Sequence, residues 1–314
     1  MPESARPLVV SVILNTNRRE DTLECLHSLR GGDYPNLQTV VLDNASTDGS
    51  PLAIPSAFPA VRLIELRENR GYAGNNNVGI RAALDLGAAW VLVLNEDVVL
   101  AADAVSRLVE VGEGHGKIGL VGPMVFHSQE PEVIQSAGGM LDRGWRSRHE
   151  GQNERDQGQY REPRLVDWVS GCALLARREM IEQVGVLDDR FFYYWEETEW
   201  CLRARRAGWR VLSVPASKVW HKGVQRHYRP GPDVTYYSTR NRLLMLDKHG
   251  APMSVWLSAS AEIARTLLAW TLRPKWRAMR THRDAMWQGM TDFLRRRWGM
   301  RPAPMRSAER RVVP

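Results

Sequence analysis

A chain of 314 residues that is 43% apolar can bury a substantial core, which excludes a disordered segment and a disulfide-stapled miniature domain. Its net charge of +7 is uneven, because residues 251–314 carry 13 Lys and Arg against 4 Asp and Glu, leaving the remainder slightly acidic. Three cysteines, Cys25, Cys172 and Cys201, lack metal-ligand spacing and read as buried free thiols of a reducing compartment; with no secretory-signal pattern at the start, a cytoplasmic location is expected.

Along the chain two periods alternate. LVVSVIL (8–14) reads as a strand and REDTLECLHSL (19–29), with Leu23, Leu26 and Leu29 three apart, as a helix. LQTVVL (37–42) and AVRLIEL (60–66) are strands, NVGIRAALDLG (77–87) a helix and WVLVL (90–94) a strand. The order β-α-β-β-α-β predicts an α/β fold with a mostly parallel sheet flanked by helices. Each strand ends in polar residues: LNTN (14–17), LDNASTDGS (42–50), ELRENRGYAGNNN (65–77) and LNEDV (94–98). In such sheets ligands gather beyond the strands' carboxyl ends, so these segments share a candidate rim.

DWVSGCALLARREMIEQVG (167–185) reads as a short strand or loop into a helix, FFYYWEETEWCLRARRAGW (191–209) starts another helix, and RVLSVPASKVWH (210–221) is a strand ending at His221. The polar stretches 143–164 and 222–237 read as mobile loops and candidate lids. In the tail, apolar residues recur at Trp256, Ile263, Leu267 and Trp270, then at Trp276, Met279, Met286, Met290 and Leu294, with arginines between. This predicts basic amphipathic helices over 255–272 and 275–298. Glu262 and Arg265 interrupt the longest apolar run, so no spanning helix is expected.

The stretches VVLDNASTDGS, ENRGYAGNNNVGIRAA, VLVLNEDV, VSGCALLARRE, FFYYWEETEWCLRARRAGWRV, VWHKG and YYSTRNRLL, in this order over residues 8 to 247, resemble an inverting family 2 glycosyltransferase of GT-A fold. The pattern is nearest the rhamnosyltransferase-like branch. The resemblance implies a catalytic domain over 1–250 and an appended basic helical tail over 251–314. It also implies a UDP- or dTDP-sugar donor, with dTDP-L-rhamnose the leading candidate, a polyprenyl-linked or polysaccharide acceptor and a Mn²⁺ or Mg²⁺ cofactor.

By position, Asn95-Glu96-Asp97 stands for the DxD-type motif. Asp97 is then the metal ligand, Glu96 a neighbour to ribose or metal, and His221 a second metal or diphosphate contact. Asp43 would take the base imide, with Asn15, Thr16 and Asn17 beside it; relatives often carry an aromatic residue at the place of Thr16. The loop with Asn69, Arg70, Gly71 and Asn77 would approach the phosphates. The family's acidic pair, usually Glu-Asp, here reads Glu196-Glu197, with Glu197 as the base. That departure leaves a non-catalytic sugar-nucleotide-binding or scaffold protein as the alternative. Trp168, Ser170, Gly171 and Trp195 are acceptor candidates.

Simpler roles compete at each place. Strand-end acids can be solvated, Ser46 or Thr47 can cap the next helix, and a lone histidine can be structural. Acids at 196, 197 and 199 suit a helix N-terminus electrostatically, and tryptophans are more often core than sugar platforms. The tail suits an anionic membrane surface on the cytoplasmic face, or packing against the catalytic domain or a second subunit of a homo-oligomer. No nucleic-acid-binding motif accompanies its charge.

Overall fold

The computed structural model describes residues 6–223 and 225–302, so the last stretch of the basic tail, 303–314, lies outside the described residues. The first half runs β1 (Val9–Asn15), α1 (Arg19–Arg30), β2 (Leu37–Asp43), α2 (Ser50–Ala57), β3 (Arg62–Glu65), α3 (Gly71–Asp85) and β4 (Trp90–Asn95). β1 pairs in parallel with β2 and β4, and β2 with β3. Val9, Val10, Val12 and Ile13 are fully buried, as a strand covered on both faces requires.

Two expectations change here. A helix, α2, intervenes between the second and third strands; its sequence SPLAIPSA carries two prolines and masks the helical period. Pro51 is tolerated because a first-turn residue needs no backbone N–H partner. α3 starts at Gly71, six residues before the apolar pattern, since Asn75, Asn76 and Asn77 are helical and buried. Each makes a fixing bond locally or across the fold: Asn75 Oδ1 accepts the Arg70 N–H, Asn76 Nδ2 donates to the Tyr72 carbonyl and Asn77 Nδ2 to the Leu187 carbonyl, while the Oδ1 atoms of Asn76 and Asn77 are buried without a partner.

The second half adds β5 (Val98–Leu100), α4 (Ala104–Glu113), β6 (Ile118–His127), β7 (Glu130–Ser136), β8 (Gly139–Leu141), β9 (Ser147–His149), β10 (Arg164–Leu165), β11 (Ala173–Arg177), α5 (Arg178–Val184), α6 (Glu196–Arg206), β12 (Arg210–His221) and α7 (Pro232–Lys248). The main sheet has the order β10-β12-β6-β11-β4-β1-β2-β3, with β5 on β12 and β7 on β6. β11 enters antiparallel between β4 and β6. The stretch 143–164 is therefore not simply a loop: β9 pairs with β8, and β10 with β12. Ladder hydrogen bonds are made by backbone, so polar side chains hid these short strands.

One apolar layer joins α1 and α4 to the sheet through Leu26, Leu29, Val105 and Leu108. The other joins α3, α5 and α6 through Ile80, Ala83, Met180 and Trp200. In the tail, α8 (Met253–Leu272), a 3-10 turn (Pro274–Met279) and α9 (Arg280–Leu294) match the expected helices. α9 lies on α7, with Phe293 against Leu243, Leu244 and Met245, and Tyr236 hydroxyl donates to Asp292 at 2.9 Å. α8 buries only Val255 and Ala259 and leaves Met253, Leu257, Leu268 and Leu272 exposed. No described helix is long and apolar enough to cross a membrane.

Candidate active site

The parallel register sets Asn15 of β1 level with Asp43 of β2, and Leu14 level with Asn95 of β4. Asn15 Nδ2 donates to Asp43 Oδ1 at 2.7 Å, and the Ser46 N–H donates to Asp43 Oδ2 at 2.9 Å. Asn17 Oδ1 accepts the Thr47 N–H at 2.7 Å. Ser46 and Thr47 do not cap α2. That helix begins at Ser50, after left-handed Gly49, and Asp48 Oδ1 accepts the Ser50 N–H.

β4 ends at Asn95, and the chain turns through Glu96 and Asp97 into β5, whose Val98 pairs with His221 at the end of β12. This places His221 Nε2 3.2 Å from Asp97 Oδ1. The other ring nitrogen, Nδ1, sits 3.0 Å from Gln135 Oε1 on β7, which fixes the ring between β7 and Asp97. Gly223 lies so close that a Cβ would run into the Asp97 carboxylate. Burial raises the Asp97 carboxyl, but the neighbouring His221 ring, then the Arg18 charge, more than offset this and its pKa is lowered. At Glu96 burial, then the Asp97 charge, outweigh its own backbone N–H and Arg18 and push it up to about 7.

Glu196 and Glu197 open α6. Glu196 is buried and its Oε2 has no hydrogen-bond partner; Glu197, half-buried, packs beside Gly171, whose backbone N–H holds its carboxylate. Burial raises both, and the Glu197 charge raises Glu196 further. Tyr72 hydroxyl donates to the Gly171 carbonyl at 2.6 Å and fixes that loop.

These groups border one cleft of about 540 Å³. Of the residues singled out from sequence, Thr16, Asn69, Gly71, Asn95, Glu96, Asp97, Ser170, Gly171, Glu196, Glu197 and His221 line it. Asn15, Asn17 and Asp43 do not line it: Asn15 and Asp43 are buried at the strand ends and Asn17 is exposed. Arg70 pairs with Glu68 at the surface, and Asn77 faces Leu187. Trp168 is buried against Gly139 and edge-on to His149, with ring centroids 4.7 Å apart. Trp195 is the left-handed residue before α6. Tyr72, Gln135, His149, Tyr193, Tyr194 and Tyr228 line the cleft without having been singled out. The run FFYY before the acids was a readable signal for two of them, whereas Gln135 and His149 sit on strands no pattern marked.

Residues 11–185 match the family model described as Glycosyl transferase family 2. The chain is 30% identical over 267 residues to the N-acetylglucosaminyl-diphospho-decaprenol L-rhamnosyltransferase of Mycobacterium tuberculosis, covering 78% of this chain and 82% of that one. It is 27% identical over 263 residues to the dTDP-rhamnosyl transferase RfbF of Shigella flexneri, covering 79% and 84%. Among solved structures, the mannosyltransferase PcManGT of Pyrobaculum calidifontis, in complex with GDP-Man and Mn²⁺, superposes with a TM-score of 0.58 at 18% identity, covering 93% of this chain and 88% of that one. The family match over more than half of the chain, the long relatives and the shared GT-A architecture agree, and this chain belongs to glycosyltransferase family 2.

Proposed function

We propose that this glycosyltransferase moves a sugar, with inversion, from a UDP- or dTDP-sugar to a lipid-linked or polysaccharide acceptor of the cell envelope. dTDP-L-rhamnose is the leading donor, supported by two relatives named for rhamnosyl transfer. The observation that carries the reading is the convergence on one cleft of the Asp97–His221 pair and the burial-raised Glu197.

The residues suit a divalent cation shared with a diphosphate. Among the described residues no three His, Cys, Asp or Glu side chains gather into a cage. Asp97 Oδ1 is nonetheless buried without a well-formed hydrogen bond, 3.2 Å from His221 Nε2. Neighbouring ligands about 2.1 Å from an octahedral cation stand about 3 Å apart, and imidazole beside carboxylate favours Mn²⁺ over Mg²⁺. When bound there, the cation would offset charge growing on the departing diphosphate.

Asp43, buried and held by Asn15 and Ser46 next to Thr16 and Asn44 of the lining, is the acceptor assigned to a pyrimidine imide N–H, which a nucleotide base would have to reach past those two residues. Glu197 takes the proton of the acceptor hydroxyl as that oxygen bonds to the anomeric carbon; the bond to the diphosphate breaks on the opposite face, and the centre inverts. Raised by burial, Glu197 is a stronger base than an exposed carboxylate. Burial and the Glu197 charge hold the neighbouring Glu196 well above the usual carboxylate range.

The lipid-linked acceptor would be met at the cytoplasmic face of the inner membrane. The exposed Met253, Leu257, Leu268 and Leu272 lie on one stripe of α8, beside Arg265, Arg273 and Lys275, which supports attachment of the 251–314 tail to an anionic surface.

Calorimetric titration of UDP, dTDP, GDP and ADP, with and without Mn²⁺, tests the donor reading. Metal-dependent binding of UDP or dTDP, abolished in Asp97→Asn, is expected. Failure of all four nucleotides to bind would overturn it.

A further inference from the structure

The four residues ahead of Glu196 include three with left-handed backbone: Phe192 at φ 64°, Tyr194 at 68° and Trp195 at 76°. Bulky aromatic residues disfavour that region, and such a loop persists only where its surroundings over-determine it. The surroundings responsible are on α7. Asn241 is fully buried, and its Nδ2 lies 2.8 Å from each of three carbonyl oxygens, those of Phe191, Tyr193 and Tyr194. Arg240, also fully buried, donates from Nη2 to the Phe191 carbonyl at 2.9 Å and to that of Arg190 at 3.2 Å.

The two side chains order each other. Arg240 Nε donates to Asn241 Oδ1 at 2.9 Å, which turns the amide nitrogen toward the carbonyls. Arg240 Nη1 reaches the Gly299 carbonyl at 2.7 Å, so the segment after α9 closes the far side of the guanidinium. Opposite, the Phe192 carbonyl accepts the Ala73 N–H at 3.3 Å, and Phe192 sits over Gly71, where a Cβ would clash. The loop is thus held between the start of α3 and the middle of α7, and it delivers Glu197 to the cleft.

We propose that Arg240 and Asn241 are positioning residues for sugar transfer: a guanidinium–carboxamide clamp that holds residues 191–195 in their left-handed path and so sets where the Glu197 carboxylate meets the acceptor. The functional part rests on Glu197 as base. The chemistry of the clamp is specific. Converging carbonyl oxygens need donors without an acceptor among them, which an amide NH₂ and a guanidinium supply and a carboxylate cannot.

The test is hydrogen–deuterium exchange by mass spectrometry on the full chain, with kcat and donor KM measured alongside, for Asn241→Asp, Asn241→Ser and Arg240→Lys. Exchange in peptides spanning 189–200 is expected to rise about 10-fold or more while those of β1 and β4 change little, because the opening is local. kcat is expected to fall about 10- to 100-fold with donor KM nearly unchanged, since only the base is displaced. Adding Trp195→Gly to Asn241→Ser should recover part of both losses, because glycine adopts that backbone unaided. Unchanged exchange in 189–200, or exchange rising uniformly across the sheet, would overturn the clamp. If the single variants fail to fold, recovery of folded protein in the Trp195→Gly background supports it and continued failure overturns it. Exchange requires no substrate, so the clamp is judged separately from the base: Glu197→Gln should abolish turnover while leaving loop exchange as in the parent.

Discussion

At the scale of single residues, the departure from the family's usual acidic pair finds a geometric counterpart. The longer side chain of Glu197 packs against Gly171, where a Cβ would stand 3.5 Å from the carboxylate carbon. Glu197→Gln is expected to lower kcat by about 10² to 10⁴ while nucleotide affinity stays within a few-fold, measured by turnover and calorimetry. Glu197→Asp should not restore an ideal pair. Retracting the carboxylate by about 1 Å is expected to cost about 10- to 100-fold in kcat. A base acts only when ionised, so with its pKa raised by burial the acid limb of the kcat profile should lie above the range of an ordinary carboxylate near 4.5, and Glu197→Gln should remove that limb. The residues that bear this chemistry were legible in the sequence as acids at strand and helix ends. Gln135 was not, because it lies on a strand with only two consecutive apolar residues, Val133 and Ile134, among polar ones, and the β6–β7 pairing brings it to His221.

At the scale of elements, α3 and α6 set the cleft through close packing and a buried ion cluster. Gly79 lets α3 approach β1 and β2; a Cβ there would run into Val12 and touch Leu42. Gly79→Ala should therefore destabilise the protein by about 1–3 kcal/mol in chemical denaturation. On α6, Glu199 is fully buried between Arg203 at 3.0 Å, Lys248 at 2.9 Å and His249 at 3.0 Å, joining that helix to α7. Burial raises the Glu199 carboxyl, but His249, Arg203 and Lys248 outweigh it and hold it at about 2. Because the folded value lies below the unfolded one, this contribution is complete above pH 4.5 and is lost as pH falls toward 2. Glu199→Gln should cost about 3 kcal/mol at neutral pH, with the difference from the parent shrinking through that window in urea titrations. The helix α3 was half-legible: its apolar half announced itself, and the asparagines of its first turns read as loop because their burial depends on partners elsewhere.

At the scale of the whole molecule, the tail divides into a packed and an exposed part. α9 and the segment after it are fixed to α7 through Phe293, Asp292 and Gly299, whereas α8 turns its stripe of Met253, Leu257, Leu268 and Leu272 outward. A membrane test should leave the α7 contacts intact, which a truncation at residue 250 would not. In the full chain, Leu268→Glu with Leu272→Glu is expected to reduce flotation with anionic vesicles about 10-fold or more, and salt should weaken the parent's binding. Equal flotation of parent and variant would remove the membrane role.

The main strands and helices of the first half apart from α2, the rim of polar strand ends and the amphipathic tail followed from the sequence by itself, because they depend on local period and on where apolar runs stop. Which strand lies beside which, and therefore that Asp97 meets His221, 124 positions further along the chain, and that Asn241 grips the loop ahead of Glu197, was decided only by the tertiary structure. The physical reason is common to both cases. Polar side chains carry no periodic signal, and their roles are set by the buried donors and acceptors that folding places opposite them.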